Sequence, residues 1–381
     1  MQNKKVLHIV TISFVIKHFF GQQFNYLNKK TGNNYHLACS ESLELKQWSK
    51  EFGYTPFSVE ITRSINPLKD LVAIYKLIKY IRKEKFGYVV AHTPKGGMVG
   101  MLAAFIANVP HRIYYRHGIA YETSKGIKRT ILKNIERLSG GLAHQVVNVS
   151  YGVENIALKD RLNTSRKNLI LRKGTCNGID ALNRFNPENY DINQIQALKS
   201  KLKIKEEDFI VGYVGRIVHD KGIDDLINAW KNIKQNKNIK LLLVGPFEEK
   251  DSVTAETKNT ILNDPNIIFT DYVPDASIYF KLMDVFILAT YREGFPTVSL
   301  EASSMQLPVI ITKATGCEEA IKENITGTFI ENTSESIEES ILKYYNDRDL
   351  VRYHGEEGRK FVLNDFEQKL IWDTINIKLG Y

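Results

Sequence analysis

Glu293-Gly294-Phe295-Pro296-Thr297-Val298-Ser299-Leu300-Glu301 is the segment around which the second half of this 381-residue chain is organised. It follows the apolar run 284–289, which predicts a buried parallel strand, and it leads into residues 299–305, which predict a helix. Open α/β sheets bind ligands where their strands end. The first turn of a helix presents unpaired N–H groups and the positive end of its dipole to an anion. The segment therefore predicts a strand–turn–helix with an anion site.

Two carboxylates bracket this predicted site. Glu293 lies on the turn, and Glu301 lies about two turns into the helix. Acidic side chains beside an anion site are explained if the ligand also carries hydroxyl groups, and a nucleotide diphosphate-sugar combines both features. The alternative is an ordinary strand–turn–helix in which the two acids occur by chance.

A second motif, Gly215-Arg216-Ile217-Val218-His219-Asp220-Lys221-Gly222, follows the apolar strand pattern at 209–214. Glycine allows a tight turn at the strand end. Arg216 can bind two phosphate oxygens at once, and Lys221 adds a point charge. Asp220 is the predicted partner that orients Lys221. The order of residues differs from a Walker phosphate-binding loop, and the alternative is a charged surface turn.

With these two motifs, the chain resembles the family-four glycosyltransferases. The likeness rests on E-G-F-P-x-x-x-x-E at 293–301, on Gly316 and Glu319 further along, and on G-R-x-x-x-x-K-G at 215–222. It implies an α/β chain of the GT-B fold, with two Rossmann-like parallel-sheet domains facing a central cleft. It also implies a retaining, metal-independent enzyme without a cofactor, because the UDP-sugar is a substrate.

The resemblance also implies roles for individual residues. Arg216 and Lys221 hold the diphosphate, Glu301 accepts hydrogen bonds from the ribose, and the turn holds the transferred sugar. The implied donor-binding set is Gly215, Arg216, Lys221, Tyr272, Val273, Glu293, Gly294, Phe295, Pro296, Thr297 and Glu301. The implied catalytic set is His117, Glu293, Arg216 and Lys221.

The sequence departs from the family pattern in three places. Asp271 stands where a glycine is usual beside the nucleobase, and Ala289-Thr290 stands where Pro-Ser is frequent. Phe19-Phe20-Gly21-Gln22 replaces a glycine-rich loop near the amino terminus. Gly21 is assigned to acceptor binding on this basis, although the aromatic pair fits simple packing equally well.

The first half contributes the predicted acceptor side. The segment His92-Thr93-Pro94-Lys95-Gly96-Gly97 resembles one found in bacterial family-four enzymes that build polysaccharides on lipid carriers. The resemblance assigns Lys95 to the acceptor's phosphate, with His92 beside it. The alternative for Lys95 is a solvated turn. His117, which follows the predicted strand 112–115, corresponds to the family's active-site histidine, whereas a lone histidine is more often structural.

Residues 67–86 predict a helix with a basic polar face. Its apolar residues recur at helical spacing and predict the face that covers the sheet; they are Leu68, Leu71, Val72, Tyr75, Ile78 and Ile81. Residues 1–179 carry 28 Lys and Arg against 10 Asp and Glu, whereas the remainder carries 24 against 33. A basic face in a basic half predicts contact with anionic lipid, at about 1 kcal/mol per nearby cation; the alternative is a merely solvated face. No zinc spacing or nucleic-acid motif accompanies the charge.

The remaining features bound the class of protein. No run of eighteen apolar residues predicts a spanning helix, and the amino terminus lacks a signal-peptide pattern. Three widely spaced cysteines predict a reducing cytoplasm. Asp347-Arg348-Asp349 matches a metal-binding triplet of another transferase fold, but its position between helices predicts helix capping. We therefore expect no metal. The predicted domains are 1–179, 180–365 and a helix, 366–381, that packs back on the first domain.

The predicted function is transfer of a sugar, an N-acetylated hexose derivative, from a UDP-sugar to an undecaprenyl-diphosphate-linked saccharide in bacterial capsule synthesis. The protein is expected at the inner face of the cell membrane, without nucleic acid. One alternative is a UDP-sugar 2-epimerase of the same fold, which needs no acceptor. Another is a peripheral membrane protein that binds nucleotide-sugar without turnover, since fold alone does not establish activity. The two motifs together favour the transferase.

Overall fold

The computed structural model describes residues 3–62, 64, 66–233, 235 and 238–381. The chain forms two compact units. The first unit comprises Met1–Gly178 together with Lys369–Tyr381, and the second comprises Ile179–Gln368. The predicted linker around residues 173–180 contains the first point at which the chain passes from one unit to the other.

The first unit is built on a seven-stranded parallel sheet in the order β3-β2-β1-β4-β5-β6-β7. Its elements are β1 (Lys5–Ile9), α1 (Val15–Phe19), α2 (Gln23–Thr31), β2 (Asn34–Cys39), α3 (Leu43–Phe52), β3 (Thr55–Ser58), α4 (Pro67–Glu84), β4 (Tyr88–His92), α5 (Pro94–Ile106), β5 (His111–Arg116), α6 (Gly126–Leu142), β6 (Gln145–Asn148), α7 (Tyr151–Lys159) and β7 (Asn168–Leu169).

The second unit is built on a six-stranded parallel sheet in the order β10-β9-β8-β11-β12-β13. Its elements are α8 (Ile192–Lys201), β8 (Phe209–Val214), α9 (Ile223–Ile233), β9 (Ile239–Val244), α10 (Ala255–Asn263), β10 (Ile267–Phe269), β11 (Val285–Leu288), α11 (Thr297–Ser304), β12 (Val309–Thr312), β13 (Gly327–Ile330), α12 (Ser334–Asn346) and α13 (Arg348–Asp365). Both sheets have the doubly wound order, which confirms the predicted α/β class with two Rossmann-like sheets.

Each sheet reverses its strand order at one point. In the first unit this point lies between β1 and β4, and in the second it lies between β8 and β11. The loops after these strands separate there, and the resulting crevice is where doubly wound folds bind ligands. Both predicted motifs of the second half follow the strands of this crevice.

A last helix, α14 (Gln368–Leu379), lies with the first unit rather than the second. Trp372 Nε1 donates a hydrogen bond to Asn177 Oδ1 at 2.8 Å. Tyr26 donates to Asp373 at 2.7 Å, and Lys30 pairs with the same carboxylate at 2.6 Å. These contacts hold α14 beside α2.

The predicted sheet-covering face of α4 is wrong for most of its residues. The side chains that α4 buries are Asp70, Ala73, Leu77 and Ile81. Four of the six predicted core residues instead face solvent, with exposed fractions of 77% for Leu68, 64% for Leu71, 54% for Val72 and 67% for Tyr75. The helix carries two apolar stripes, and Asp70 sits inside the buried one because it pairs with Lys95. Periodicity alone could not choose between the stripes.

The Asp347-Arg348-Asp349 triplet begins α13, as the capping prediction requires. The Leu350 N–H donates a hydrogen bond to Asp347 Oδ1 at 2.9 Å, and Arg348 pairs with Asp284 at 2.8 Å. A side-chain oxygen at this position satisfies an N–H of the first helical turn. The triplet therefore serves the helix, which confirms the capping prediction.

Candidate active site

The G-R-x-x-x-x-K-G motif at 215–222 packs against the end of β11 through its last glycine. Gly222 has φ +67°, and a Cβ there would lie 1.8 Å from the Ala289 carbonyl oxygen. Only glycine combines this backbone angle with so close an approach. The short 3₁₀ helix His219–Lys221 is thereby placed beside the turn that carries Glu293.

Lys221 and Glu293 form an ion pair across the crevice between β8 and β11. Both side chains are largely buried, with 19% and 15% of their area exposed. The predicted orienting partner of Lys221 is therefore wrong. Asp220 instead pairs with Arg292 at 2.9 Å, so the two acids serve two different cations.

Arg216 follows β8 at the same sheet edge, and its side chain is exposed to solvent. Its Nη1 donates to Glu248 Oε2 at 2.7 Å, and both side chains are exposed. Surface ion pairs of this kind contribute about 0–1 kcal/mol. A phosphate can therefore displace Glu248 from the guanidinium at little cost.

The predicted helix after the turn is α11. Pro296 occupies its N-cap position and makes no side-chain capping bond. Gly316, with φ +78°, packs against the turn, where a Cβ would lie 2.4 Å from the Glu293 carbonyl oxygen. The start of α11, with Thr297 as its first residue, therefore faces the ligand edge without a protein side chain capping it.

Glu301 lies on α11 with no hydrogen-bond or ion-pair partner within the described ranges. Burial raises the pKa of its carboxyl group from its ordinary value to about 7, and the charge of Arg184 acts in the opposite direction. Glu301 is half-buried, so its carboxyl group loses part of its hydration without gaining a protein partner among the described residues, which is unfavourable for the charged form. A ligand that brings hydroxyl groups would supply the missing hydrogen bonds.

The segment predicted beside the nucleobase follows β10. Asp271 has φ +59°, the left-handed conformation that glycine adopts most easily. Its Oδ1 accepts a hydrogen bond from the Tyr272 N–H at 2.7 Å, and aspartate tolerates this conformation through such a local bond. Tyr272 is exposed and Val273 half-buried. The substitution of glycine by Asp271 thus leaves the turn intact.

The two predicted histidines of the first unit differ in their exposure to solvent. His117 follows β5 and is half-buried, and Phe19 stacks on its ring at a centroid distance of 3.9 Å. His92, at the end of β4, is buried. Its Nδ1 lies 3.0 Å from His117 Nε2, and its Nε2 lies 3.1 Å from His8 Nδ1. His92 can therefore reach an acceptor only through His117.

Lys95 and Gly21 have structural partners here. Lys95 Nζ pairs with Asp70 Oδ2 at 2.5 Å, and both side chains are nearly buried. Binding of an acceptor phosphate by Lys95 would require this pair to open. Gly21 has φ +49° and donates to the Ile16 carbonyl at 3.3 Å, which closes α1. The acceptor roles of both residues stay predictions.

No cluster of three or more His, Cys, Asp or Glu suited to a metal ion occurs in the described part of the chain. Carboxylates Glu293 and Glu248 are each engaged by a cation. Metal independence itself stays a prediction.

The motifs did not reveal three residues that contact the predicted site residues. Glu248 and Arg292 pair with predicted site residues from loops that carry no recognisable signal. His8 lies within β1, where a histidine inside an apolar strand was the available signal. All three depend on contacts between segments distant in sequence.

The two doubly wound sheets, with both motifs at the ligand edge of the second sheet, define the architecture of the GT-B class. Residues 194–361 match the family model "Glycosyl transferases group 1", and residues 6–150 match "Glycosyl transferase 4-like". The chain is 34% identical over 377 residues to the capsular polysaccharide biosynthesis glycosyltransferase CapM of Staphylococcus aureus, covering 98% of this chain and 96% of that protein. The chain belongs to this glycosyltransferase family.

Two further similarities are informative. The UDP-Gal:alpha-D-GlcNAc-diphosphoundecaprenol alpha-1,3-galactosyltransferase of Escherichia coli is 25% identical over 335 residues, 87% of this chain and 84% of that protein. The crystal structure of Anabaena HepE with UDP and glucose superimposes with a TM-score of 0.82 at 18% identity, covering 99% of this chain and 100% of that one. The structural likeness supports the fold.

Proposed function

We propose that this glycosyltransferase moves a sugar, an N-acetylated hexose derivative, from a UDP-sugar to a lipid-diphosphate-linked saccharide in capsule synthesis. We further propose that it acts with retention of anomeric configuration and without a metal ion. The observation that carries the proposal is the Lys221–Glu293 pair at the switch point of the second sheet. In this pair, Lys221 is the cation proposed to bind phosphate, and Glu293 beside it is the acid proposed to contact the sugar.

The chemistry follows from which charges change during transfer. When the bond between the anomeric carbon and the diphosphate breaks, negative charge grows on the leaving phosphate. Arg216 and Lys221 stabilise that charge, and preorganised groups of this kind lower the barrier because they need no reorientation. Glu293 and the 294–296 backbone hold the sugar where positive charge develops. His117 is assigned to a hydrogen bond with the same sugar.

Retention requires the acceptor to attack from the face that the diphosphate leaves. On that face the departing phosphate oxygen can take the proton of the acceptor hydroxyl. The acceptor class rests on relatives: CapM takes part in capsular polysaccharide biosynthesis by its name, and the Escherichia coli enzyme acts on a sugar linked to diphosphoundecaprenol. A lipid diphosphate carries anionic charge, which suits the basic first unit.

Glu301 predicts a pH dependence of donor binding. A ribose hydroxyl donates best to the ionised carboxylate, so binding favours the charged form. Because the pKa of Glu301 is raised to about 7, the charged form is present above pH 7 and is lost as the pH falls through that value. We expect the Kd of uridine, which lacks a titrating phosphate, to rise about 3- to 10-fold between pH 8 and pH 6.

The control for this titration is Glu301→Gln, measured by calorimetry over the same range. His219, whose pKa is raised chiefly by its hydrogen bond to Asp224, titrates in both proteins and therefore cancels. An identical pH profile in the wild type and the variant would contradict the assigned role of Glu301.

We also propose that the first unit docks on anionic lipid through the outer stripe of α4. Within the described ranges, no helix is both long and apolar enough to cross a bilayer. The stripe formed by Leu68, Leu71, Val72 and Tyr75 is exposed, and Lys76, Lys79 and Lys83 are exposed on the same helix. An apolar stripe flanked by lysine matches helices that lie in the membrane interface.

Leu71→Asp is expected to weaken binding to phosphatidylcholine vesicles containing phosphatidylglycerol by about 10-fold or more. The change removes apolar area, worth about 25 cal/mol per Å², and adds a charge of the same sign as the lipid. Cosedimentation measures the effect. Ile377→Asp on α14 is the matched control, because Ile377 is 78% exposed. Equal loss in both variants, or no loss in either, would remove the assignment to α4.

The function itself is tested by UDP release from a panel of UDP-sugars. We expect release with one donor, dependent on an undecaprenyl-diphosphate-linked saccharide and unchanged by a metal chelator. Release without an acceptor and without a glycoside product would favour an epimerase or hydrolase. Binding of UDP without turnover of any donor would favour a non-catalytic binder.

A further inference from the structure

Three histidines of the first unit form a continuous row on one face of its sheet. His8 lies in β1, His92 ends β4, and His117 follows β5. Register places His8 opposite Val90 and His92 opposite Tyr115, so the side chains of His8 and His92 project from the same face. The row runs from the interior to the carboxyl edge of the sheet.

The hydrogen bonds in this row admit only two proton arrangements. The contacts are His8 Nδ1 to His92 Nε2 at 3.1 Å and His92 Nδ1 to His117 Nε2 at 3.0 Å. Burial lowers the pKa of His8 and of His117 to about 3 and holds that of His92 well below its ordinary value, so each ring is neutral with one N–H. Once His92 donates in one direction, both neighbours must follow.

In the first arrangement every ring donates toward His8, and the last proton resides on His8 Nε2. In the second every ring donates toward the edge, and the last proton resides on His117 Nδ1. The two arrangements thus differ in whether His117 offers a donor or an acceptor at the edge. An N–H of His117 would donate to a lone pair of a sugar oxygen. A bare nitrogen of His117 would instead accept the proton of a sugar hydroxyl group.

The surroundings of His8 select the second arrangement. His8 Nε2 is buried and has no hydrogen-bond partner in the described part of the protein. The His8 ring lies among Phe20, Phe24 and Tyr381, at centroid distances of 5.1, 4.8 and 5.6 Å. Among backbone groups, buried N–H donors without an acceptor are rarer than carbonyl acceptors left unpaired, and we apply the same preference to the imidazole ring. A bare Nε2 on His8 is therefore favoured over an N–H.

We propose that His8 and His92 are positioning residues that hold His117 in its Nδ1–H tautomer, so that its outer ring nitrogen donates a hydrogen bond at the sheet edge. Phe19, stacked nearly parallel to the His117 ring at 7°, fixes the direction of that donor. The proposal deepens the assignment of His117 to the donor sugar and rests on the proposed function for its effect on catalysis. It predicts that His117 contacts an oxygen acting as acceptor.

The tautomer is measured directly by long-range ¹H–¹⁵N correlation on protein labelled at histidine nitrogen. The nine histidines are distinguished for this purpose by the signal that disappears in His117→Asn. In the wild type we expect Nδ1 of His117 to be protonated and Nε2 to be bare. A protonated Nε2 would overturn the proposal without reference to any activity.

Two substitutions of His92 separate positioning from packing. Leucine removes the donor to His117 Nε2, and we expect the tautomer to change and kcat/KM to fall about 10-fold. Glutamine restores an N–H donor, and we expect it to keep the wild-type tautomer and to recover most of the activity. An unchanged tautomer in His92→Leu would contradict the proposal. If His92→Leu does not fold, the wild-type spectrum decides alone. Failure of the proposed function would abolish the kinetic arm and leave the spectra unaffected.

Discussion

Replacement of Glu293 by glutamine is expected to lower kcat/KM by about 100- to 1,000-fold, while the Kd of UDP changes by less than about threefold. The side chain keeps its shape but loses the charge that pairs with Lys221 and that the proposed function places beside the anomeric carbon. Preorganised charge matters most in the transition state, and losing one such group typically costs this much. Steady-state kinetics and calorimetric titration of UDP measure the two quantities separately.

Glu248→Gln is the matched control for Glu293. Glu248 also pairs with a cation of the motif, Arg216 at 2.7 Å, but in an exposed position. We expect kcat within about threefold of the wild type, because a surface pair contributes little. If Glu293→Gln retained full turnover, or if both variants lost it equally, the assignment of Glu293 to the reacting sugar would fail.

Replacement of Glu136 by alanine is expected to destabilise the first unit by about 3–5 kcal/mol. Arg116 and Glu136 are fully buried and paired at 2.9 Å. Tyr114 donates to the same carboxylate at 2.9 Å, and Arg116 also donates to Asn148 at 2.9 Å. Without Glu136 the guanidinium stays buried with its charge uncompensated. Thermal unfolding should shift to lower temperature by about 10 °C.

Two further variants test the physical cause of the stability lost in Glu136→Ala. Glu60→Ala removes the exposed partner of Lys69, and we expect a change below about 1 kcal/mol. The double change Arg116→Met with Glu136→Leu removes both charges, and we expect it to recover part of the stability. A Glu136→Ala protein as stable as Glu60→Ala would show that the buried pair is not needed.

The sequence was sufficient for the sheets and for the ligand edge of the second unit. Strand patterns ending in Arg216–Lys221 and in Glu293–Thr297 could be assigned because parallel strands present their carboxyl ends to one edge. The capping role of Asp347 was equally local. These predictions needed only the order of residues along a strand or at a helix start.

Predictions that depended on partners from other segments were less successful. Lys221 pairs with Glu293 rather than with the adjacent Asp220, because the fold of the turn decides which acid is near. The sequence pattern did not distinguish the two apolar stripes of α4. The structure shows that the stripe containing Asp70 is the buried one. The role proposed for His8 depends on its contact with the ring of His92, which is distant in sequence.

The central claim is that a sugar is transferred from a UDP-sugar to a lipid-linked saccharide. The most direct test is mass analysis of the extracted lipid after incubation of the full chain with the donor found by UDP release and an undecaprenyl-diphosphate-linked saccharide. We predict a lipid product heavier by one sugar residue, formed by the wild type and by Glu248→Gln and nearly absent with Glu293→Gln. An unchanged lipid, with UDP released nonetheless, would contradict the claim.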